Sequence, residues 1–205
     1  MASVQNVVNE WASDDEAKRL LVETHSGLIL RWLNEGQLRY ADKSEMLRST
    51  WNPTITSTGS IALPADFLRE FPDKVQATAG NTSDTPLQKV DYSLARQVSW
   101  DTLTAYSIYD GTFYIWAAGA ATPSITYVSK PAAFTVLATD AFELGTEFHR
   151  AIVDYLEAKW LYRNKTVSYG DYKAMLNEFD NQARTDGLMF VQRNDSLILT
   201  RSAGW

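Results

Sequence analysis

The chain has 205 residues and a net charge of −6, and 45% of its residues are hydrophobic. This composition is typical of a globular protein that is long enough to bury a core without a metal or a disulfide. The absence of cysteine excludes disulfides, thiolate zinc sites and cysteine nucleophiles, and two histidines leave little catalytic material. The acidic charge argues against general nucleic-acid binding. We therefore expect a structural or binding protein without a cofactor, and not an enzyme.

The start of the chain lacks the basic and apolar stretches of a secretory signal, which predicts synthesis in the cytoplasm. The longest uncharged run, residues 111–129, has the length of a membrane span. However, Pro123 and many hydroxyl-bearing residues interrupt this run, and its alternating pattern is typical of strands. We therefore expect no membrane association.

Residues 1–50 have a helical pattern. Four apolar residues share one helical face at the spacing i, i+3, i+4 and i+7: Val4, Val7, Val8 and Trp11. Ser13 and Glu16 have the spacing of a capping box that begins a second helical stretch. Gly27 and Gly36 are expected to bend or break the helix that follows.

Residues 51–144 have a β pattern and contain all six prolines of the chain. Pro64 predicts a single helical turn, with the proline in its first position. The clearest β-hairpin pairs residues 106–109 with residues 112–116 across Asp110-Gly111, because Asp-Gly supplies the positive φ angles of a type I′ turn. We therefore predict an antiparallel β module inserted between helices.

Residues 145–186 return to a helical pattern, with two apolar stripes that predict an antiparallel helix pair. Neither flank can bury its apolar stripe alone, so residues 1–50 and 145–186 should pack as one helical bundle. Residues 187–205 carry apolar patches outside any amphipathic pattern, which predicts an extended C-terminal tail. The predicted fold is α+β: a helical bundle from the two flanks, a β module over residues 51–144, and the tail.

Chemical motifs are scarce. The sequence contains no phosphate-binding glycine loop and no HExxH or GxSxG motif. Glu143, Glu147 and His149 come nearest to a chemical cluster, since two carboxylates could bind a metal or serve a hydrolase as acid and base. Acidic residues also mark helix starts, where they complement the positive end of the helix dipole. We favour this second interpretation, because no further motif supports catalysis.

The predicted hairpin is rich in aromatic residues: Tyr106, Tyr109, Phe113, Tyr114 and Trp116. Their rings could form a stacking surface for a carbohydrate, which would make the protein a binding module. More commonly, strand alternation buries one face of a hairpin in the core and leaves the other exposed or against a neighbour. We favour this second interpretation and keep the first as the alternative.

The C-terminal tail is too apolar to be a simple solvated end. Such a tail is either disordered or becomes ordered by docking on a partner, and we favour its addition to another subunit. The predicted partner-binding residues are six of its aliphatic and aromatic members: Leu188, Phe190, Leu197, Ile198, Leu199 and Trp205.

Two segments are distinctive: Leu63-Pro-Ala-Asp-Phe, which opens the β module, and Phe148-His-Arg, which starts the second helical flank. Together with residues 31–41 and 109–116, and in this order along the chain, they resemble the head-to-tail adaptor (connector) proteins of tailed bacteriophages. The resemblance covers residues 14–185. It rests on segment order and a diffuse pattern.

The resemblance implies a ring, usually of twelve copies, that lies beneath the portal protein and lets DNA pass without specific binding. The helical bundle would surround the DNA channel, the β module would face tail or nozzle proteins or neighbouring copies, and the tail would dock on the portal. Such a protein belongs to the head–tail interface of the virion and assembles in the host bacterial cytoplasm. The alternative is a tail or baseplate module that recognises a carbohydrate through the aromatic hairpin.

Overall fold

The computed structural model describes residues 3–55, 59–76, 87–95, 105–116, 122–144 and 146–202. The chain divides into two compact units: Met1–Leu47 with Lys130–Trp205, and Arg48–Ser129. The first unit is helical and the second is rich in strands. The predicted α+β fold, with helices from both flanks of the chain, is confirmed.

Within the described residues, five helices build the helical unit: α1 (Val4–Ala12), α2 (Glu16–Thr24), α3 (Ser26–Ser44), α5 (Thr146–Arg163) and α6 (Tyr169–Ser202). The short helix α4 (Tyr92–Ala95) lies in the β-rich unit. The Asp15 carboxylate caps α2 by accepting hydrogen bonds from two backbone amides of its first turn. The predicted capping box of Ser13 and Glu16 is therefore wrong, because Asp15 takes the capping position.

The segment 130–144 belongs to the helical unit, whereas the sequence places it in the β module. Its large apolar side chains are buried in the helical core: Phe134, Leu137, Phe142 and Leu144. Two amide side chains of α3 hold its backbone, since Asn34 Nδ2 donates to the carbonyl of Phe134 (3.0 Å) and Gln37 Nε2 donates to the carbonyl of Ala132 (2.8 Å). The boundary between the β-rich unit and the helical unit therefore lies between Ser129 and Lys130.

Helix α3 packs against both α5 and α6. Its Tyr40 lies edge-on to Phe148 of α5 and Phe179 of α6, with ring centroids 4.9 and 5.9 Å apart. The order of contacts along the chain makes α3 antiparallel to α5 and parallel to α6. Residues 164–168 join α5 and α6 as an antiparallel pair, as the sequence predicts.

Two glycines allow these helices to approach closely. A Cβ added to Gly36 would lie 2.3 Å from Ile152 Cδ1 and 2.9 Å from Tyr155 Cδ1 on α5. A Cβ added to Gly187 on α6 would lie 2.0 Å from the backbone carbonyl oxygen of Ser44. The expected break at Gly36 is therefore wrong, because α3 runs through Gly36. Helix α6 likewise runs through Gly187. At both positions the missing side chain makes room for a neighbouring helix.

The described strands of the β-rich unit are β1 (Arg48–Trp51), β2 (Gly59–Ala62), β3 (Phe67–Gln76), β4 (Gln88–Lys89), β5 (Ala105–Tyr109), β6 (Thr112–Trp116) and β7 (Ser124–Ser129). They form an antiparallel sheet of order β1-β7-β3 and a mixed sheet of order β2-β6-β5-β4, in which β4 is parallel to β5. The predicted hairpin is present as β5 and β6. Asp110 and Gly111 have φ angles of 46° and 68°, as a type I′ turn requires.

The predicted helical turn after Pro64 is wrong, because β3 begins at Phe67. This strand pairs with β7. The Phe67 ring stacks on Tyr127 of β7 at 5.2 Å, and the Tyr127 hydroxyl donates to Asp66 Oδ1 at 3.0 Å. Cross-strand pairing thus overrides the local preference of proline for the start of a helix.

The substitution Gly187→Ala should destabilise the protein by about 1–3 kcal/mol, because its Cβ meets backbone rather than a side chain that can move aside. Gly27→Ala is the matched control. A Cβ at Gly27 meets nothing within 4 Å, so this change on α3 should be neutral or stabilising by up to about 1 kcal/mol. Urea unfolding followed by circular dichroism measures both changes. Equal stability of Gly187→Ala and wild type would contradict the close contact.

Glu35 on α3 accepts hydrogen bonds from Lys159 of α5 (2.6 Å) and from Arg31 (3.0 Å). Burial would raise the pKa of the Glu35 carboxyl, but these two cations hold it below its usual value. A lowered pKa in the folded state stabilises the protein above the pKa of the unfolded state, and this stability is lost as the pH falls through the folded-state pKa.

We therefore expect Glu35→Gln to be less stable than wild type at neutral pH and the difference to shrink as the pH falls from about 5 to about 3. The measurement is the free energy of unfolding of both proteins across that pH range. A difference that stays constant with pH would show that the Glu35 charge does not contribute.

Candidate partner-binding surface

The C-terminal part of α6 continues past the end of α3. The two helices run parallel, and Gly187 of α6 lies against Ser44, the last residue of α3. Helix α6 ends at Ser202, so residues 188–202 extend the helix for about 22 Å after this contact at 1.5 Å per residue.

Polar contacts just before Gly187 hold α6 in place. The Tyr40 hydroxyl donates to Asp186 Oδ2 at 2.7 Å, and Gln182 Nε2 donates to Asp186 Oδ1 at 2.8 Å. One turn and a half earlier, Arg39 forms a two-pronged ion pair with Asp180 at 2.6 and 2.9 Å. The hydrogen bond from Arg39 to Asp180 raises the pKa of the guanidinium. The segment that leads into Gly187 is therefore fixed by charge-assisted bonds to α3.

Three consecutive apolar side chains are exposed directly after Gly187. Leu188 is 65% exposed, Met189 49% and Phe190 37%; we call these three residues the apolar end of α6. Successive helical residues are about 100° apart, so this group covers more than half of the helix circumference. Such a group marks an interaction site more often than a solvated surface. Across the described residues, no helix is long and apolar enough to cross a membrane.

Among the predicted partner-binding residues, Leu188 and Phe190 lie on this surface. Three others, Leu197, Ile198 and Leu199, lie on the last turns of α6. Trp205 lies outside the described residues. Met189 was not among the predicted residues, although its place in an apolar run of three gives the same signal as its two neighbours.

The predicted extended conformation of residues 187–205 is wrong for residues 187–202, which are helical. Gly187 looks like a helix terminator in the sequence, but it packs against Ser44 within an unbroken helix. The last proline of the chain is Pro131, and leucine, methionine, glutamine and arginine in this segment all favour helix.

The aromatic hairpin divides into two faces, as strand alternation predicts. Tyr106 and Phe113 are fully buried in the core of the β-rich unit. On the other face, Tyr109 is exposed and stacks on Tyr92 of α4, with parallel rings 4.8 Å apart. Tyr92 also contacts Tyr114 at 4.5 Å. These rings cover one another's faces, which leaves less ring surface for a carbohydrate.

Two members of the candidate acid–base cluster, Glu143 and His149, have described side chains, and each contacts a different part of the helical unit. Glu143 Oε2 accepts a hydrogen bond from the backbone amide of Ala132 at 3.1 Å, and the His149 ring lies 4.7 Å from the Phe142 ring. The side chain of Glu147 lies outside the described residues. In the described part of the chain, no group of three or more histidine, aspartate or glutamate residues could hold a metal ion. Glu143 therefore stabilises the segment 130–144.

Comparison with known proteins gives one family. The model of a family described as SU10 adaptor protein matches residues 1–196, whereas no curated protein matches the chain. This match confirms the resemblance to phage head-to-tail adaptors, which are structural phage proteins and not an enzyme family. Because the match covers nearly the whole sequence, the chain belongs to the SU10 adaptor protein family.

Proposed function

We propose that this protein forms a ring beneath the portal of a tailed bacteriophage and connects the DNA-filled capsid to the tail. In this proposal the apolar end of α6 and the helix turns that follow it bind the portal protein. The β-rich unit faces tail or nozzle proteins, and DNA passes through the ring without specific binding. The ring has twelve copies, as the resemblance to head-to-tail adaptors implies, and it assembles in the host cytoplasm.

The main support is the position of the apolar end of α6. It begins where the packing of α6 on α3 ends, and Leu188 is among the most exposed large apolar side chains of the described residues. Helical apolar segments dock into grooves of partner proteins through side chains at a spacing of three or four residues. Leu188 is exposed on α6, and the sequence places three further apolar residues, Leu197, Ile198 and Leu199, later along the same helix.

The overall charge supports passive passage of DNA. The net charge of −6 means that acidic side chains outnumber basic ones on the protein as a whole. Strong DNA binding draws on lysine and arginine side chains that displace counterions from phosphates. An acidic ring would therefore let DNA slide through without adhering to it.

The variant with both Leu188→Ser and Phe190→Ser should bind purified portal protein at least about tenfold more weakly than wild type, because it removes the exposed apolar side chains. Leu20→Ser is the matched control, since Leu20 is 58% exposed on α2, away from the apolar end of α6. Biolayer interferometry on immobilised portal measures the affinities, and circular dichroism checks the fold. Unchanged portal affinity of the double variant would remove the apolar end of α6 from the interface.

Electron microscopy of portal mixed with the wild-type protein tests the ring itself. A ring of density stacked on one end of the portal is expected, and the double variant should leave most portals bare. Bare portals with saturating wild-type protein would contradict the proposed function.

A further inference from the structure

The turn between α5 and α6 carries a concentration of exposed basic and aromatic side chains. We call this region the hairpin tip and define it by five exposed residues: Tyr162, Arg163, Lys165, Tyr169 and Lys173. Three of the five are cations, although the chain as a whole has a net charge of −6. The hairpin tip is thus a basic patch on an acidic protein.

Lys165 has an unfavourable backbone conformation in the hairpin tip. The amide of Thr166 donates to the Leu161 carbonyl at 3.0 Å and the amide of Lys165 donates to the Tyr162 carbonyl at 3.1 Å, which is the Schellman pattern that ends a helix. The left-handed residue of this motif is usually glycine, yet here Lys165 adopts it with a φ angle of 57°. Backbone strain at a residue other than glycine often marks a functional position.

The tyrosines of the hairpin tip are also held in place. Tyr162 stacks on Tyr172 with ring centroids 4.4 Å apart, and Lys173 Nζ lies 5.0 Å from the centre of the Tyr169 ring. Even so, Tyr162 and Tyr169 remain 42% and 58% exposed. Ordered, exposed tyrosines lose little entropy on binding, so they suit a protein interface.

The hairpin tip also contains an acidic residue, Asp171, which caps α6. Asp171 Oδ2 accepts from Ser168 Oγ at 2.7 Å, and Ser168 Oγ accepts from the Asp171 amide at 3.2 Å, so the two residues form the cap of α6. Arg163, Lys165 and Lys173 are all exposed, so an acidic partner can reach them. Tyrosine and arginine together are enriched in the centres of protein interfaces. Stacked duplex DNA would offer the exposed tyrosine rings no apolar surface, so we favour a protein.

The chain itself carries an acidic surface of the kind that the hairpin tip could bind. A cleft of about 250 Å³ lies between α5 and α6, with an apolar floor and an acidic rim. Ala151, Met175 and Phe179 line the floor, and the rim carries Asp154, Glu157 and Glu178. Glu157 is bound by Lys18 at 2.5 Å and by Trp11 Nε1 at 2.9 Å, which leaves Asp154 and Glu178 to face the cleft.

The electrostatics of the cleft favour an incoming cation. Burial, with the neighbouring carboxylates of Glu178 and Glu157, raises the pKa of Asp154, while Arg150 acts in the opposite direction. A cation in the cleft would relieve this repulsion, and the apolar floor would cover a lysine stem or a tyrosine ring.

We propose that the hairpin tip of one copy docks into the acidic cleft of a second copy. The two surfaces differ, so the contact is head-to-tail and leaves a pair of copies with one free tip on one copy and one free cleft on the other. A head-to-tail contact closes into a ring when its rotation allows. This proposal deepens the proposed function and rests on it for the closed ring, but the contact between two copies can be tested without portal.

Sedimentation velocity over protein concentrations up to about 1 mM tests the contact through the dissociation constant of self-association. Lys165→Glu and Glu178→Lys should each weaken self-association at least about tenfold, because each brings like charges together. The variant that carries both changes should return to within about threefold of wild type, since the charges are exchanged. Lys130→Glu, the same change at another exposed lysine of the helical unit, should have little effect.

Lys165→Gly separates binding from folding. It removes the charge and also the strain of the left-handed residue, so it should raise the midpoint of thermal unfolding while weakening self-association. A purely structural role for Lys165 would leave self-association unchanged in this variant, and that result would overturn the proposal.

Three other results would also overturn it. The first is that the wild-type protein stays monomeric at every concentration. The second is that the variant with both Lys165→Glu and Glu178→Lys does not regain self-association. The third is that Lys165→Glu changes only the affinity for a 20-base-pair DNA duplex and leaves self-association unchanged. Portal affinity, measured with the serine variants at the apolar end of α6, is independent of these results. Failure of this contact and failure of the proposed portal docking can therefore be told apart.

Discussion

The backbone contact between α3 and α6 at Ser44 and Gly187 is the constraint on which the rest of the helical unit depends. Because a Cβ at Gly187 would lie 2.0 Å from the Ser44 carbonyl oxygen, only glycine lets the two parallel helices meet there. The contact brings Asp186 to Tyr40 and fixes the direction in which α6 leaves the bundle. Gly36 plays the same part between α3 and α5. The apolar end of α6 is exposed because the supporting helix ends at this contact.

The elements that the sequence predicts correctly are those with a local cause. The apolar stripes of the flanks give the helices, and Asp110-Gly111 gives the hairpin, since positive φ angles are needed there. The errors arise where contact with a residue distant in the chain determines the local structure. A glycine that ends a helix and a glycine that admits a neighbouring helix look alike in sequence, so the break at Gly36 and the extended tail after Gly187 were wrong predictions. The apolar residues of the candidate surface were identifiable, but their helical presentation was not.

The proposed function and the proposed contact between copies use two separate surfaces of one helix. Helix α6 has 34 residues, about 51 Å at 1.5 Å per residue, with the hairpin tip at its start and the apolar residues after Gly187. On this account, α6 connects a polar, charge-directed contact with a neighbouring copy to an apolar contact with the portal. Both contacts need the helix to be continuous and firmly held, which the ion pair of Arg39 and Asp180 supports.

The continuity of α6 through Gly187 is the central claim, and a distance across this position tests it most directly. The chain has no cysteine, so Asn177→Cys and Asp195→Cys give two unique positions for spin labels on the free protein. Eighteen residues make five helical turns, so both labels lie on one side of an unbroken helix, about 27 Å apart. Double electron–electron resonance should give a narrow distribution near that distance. A broad distribution would show that α6 breaks at Gly187 and would contradict the account.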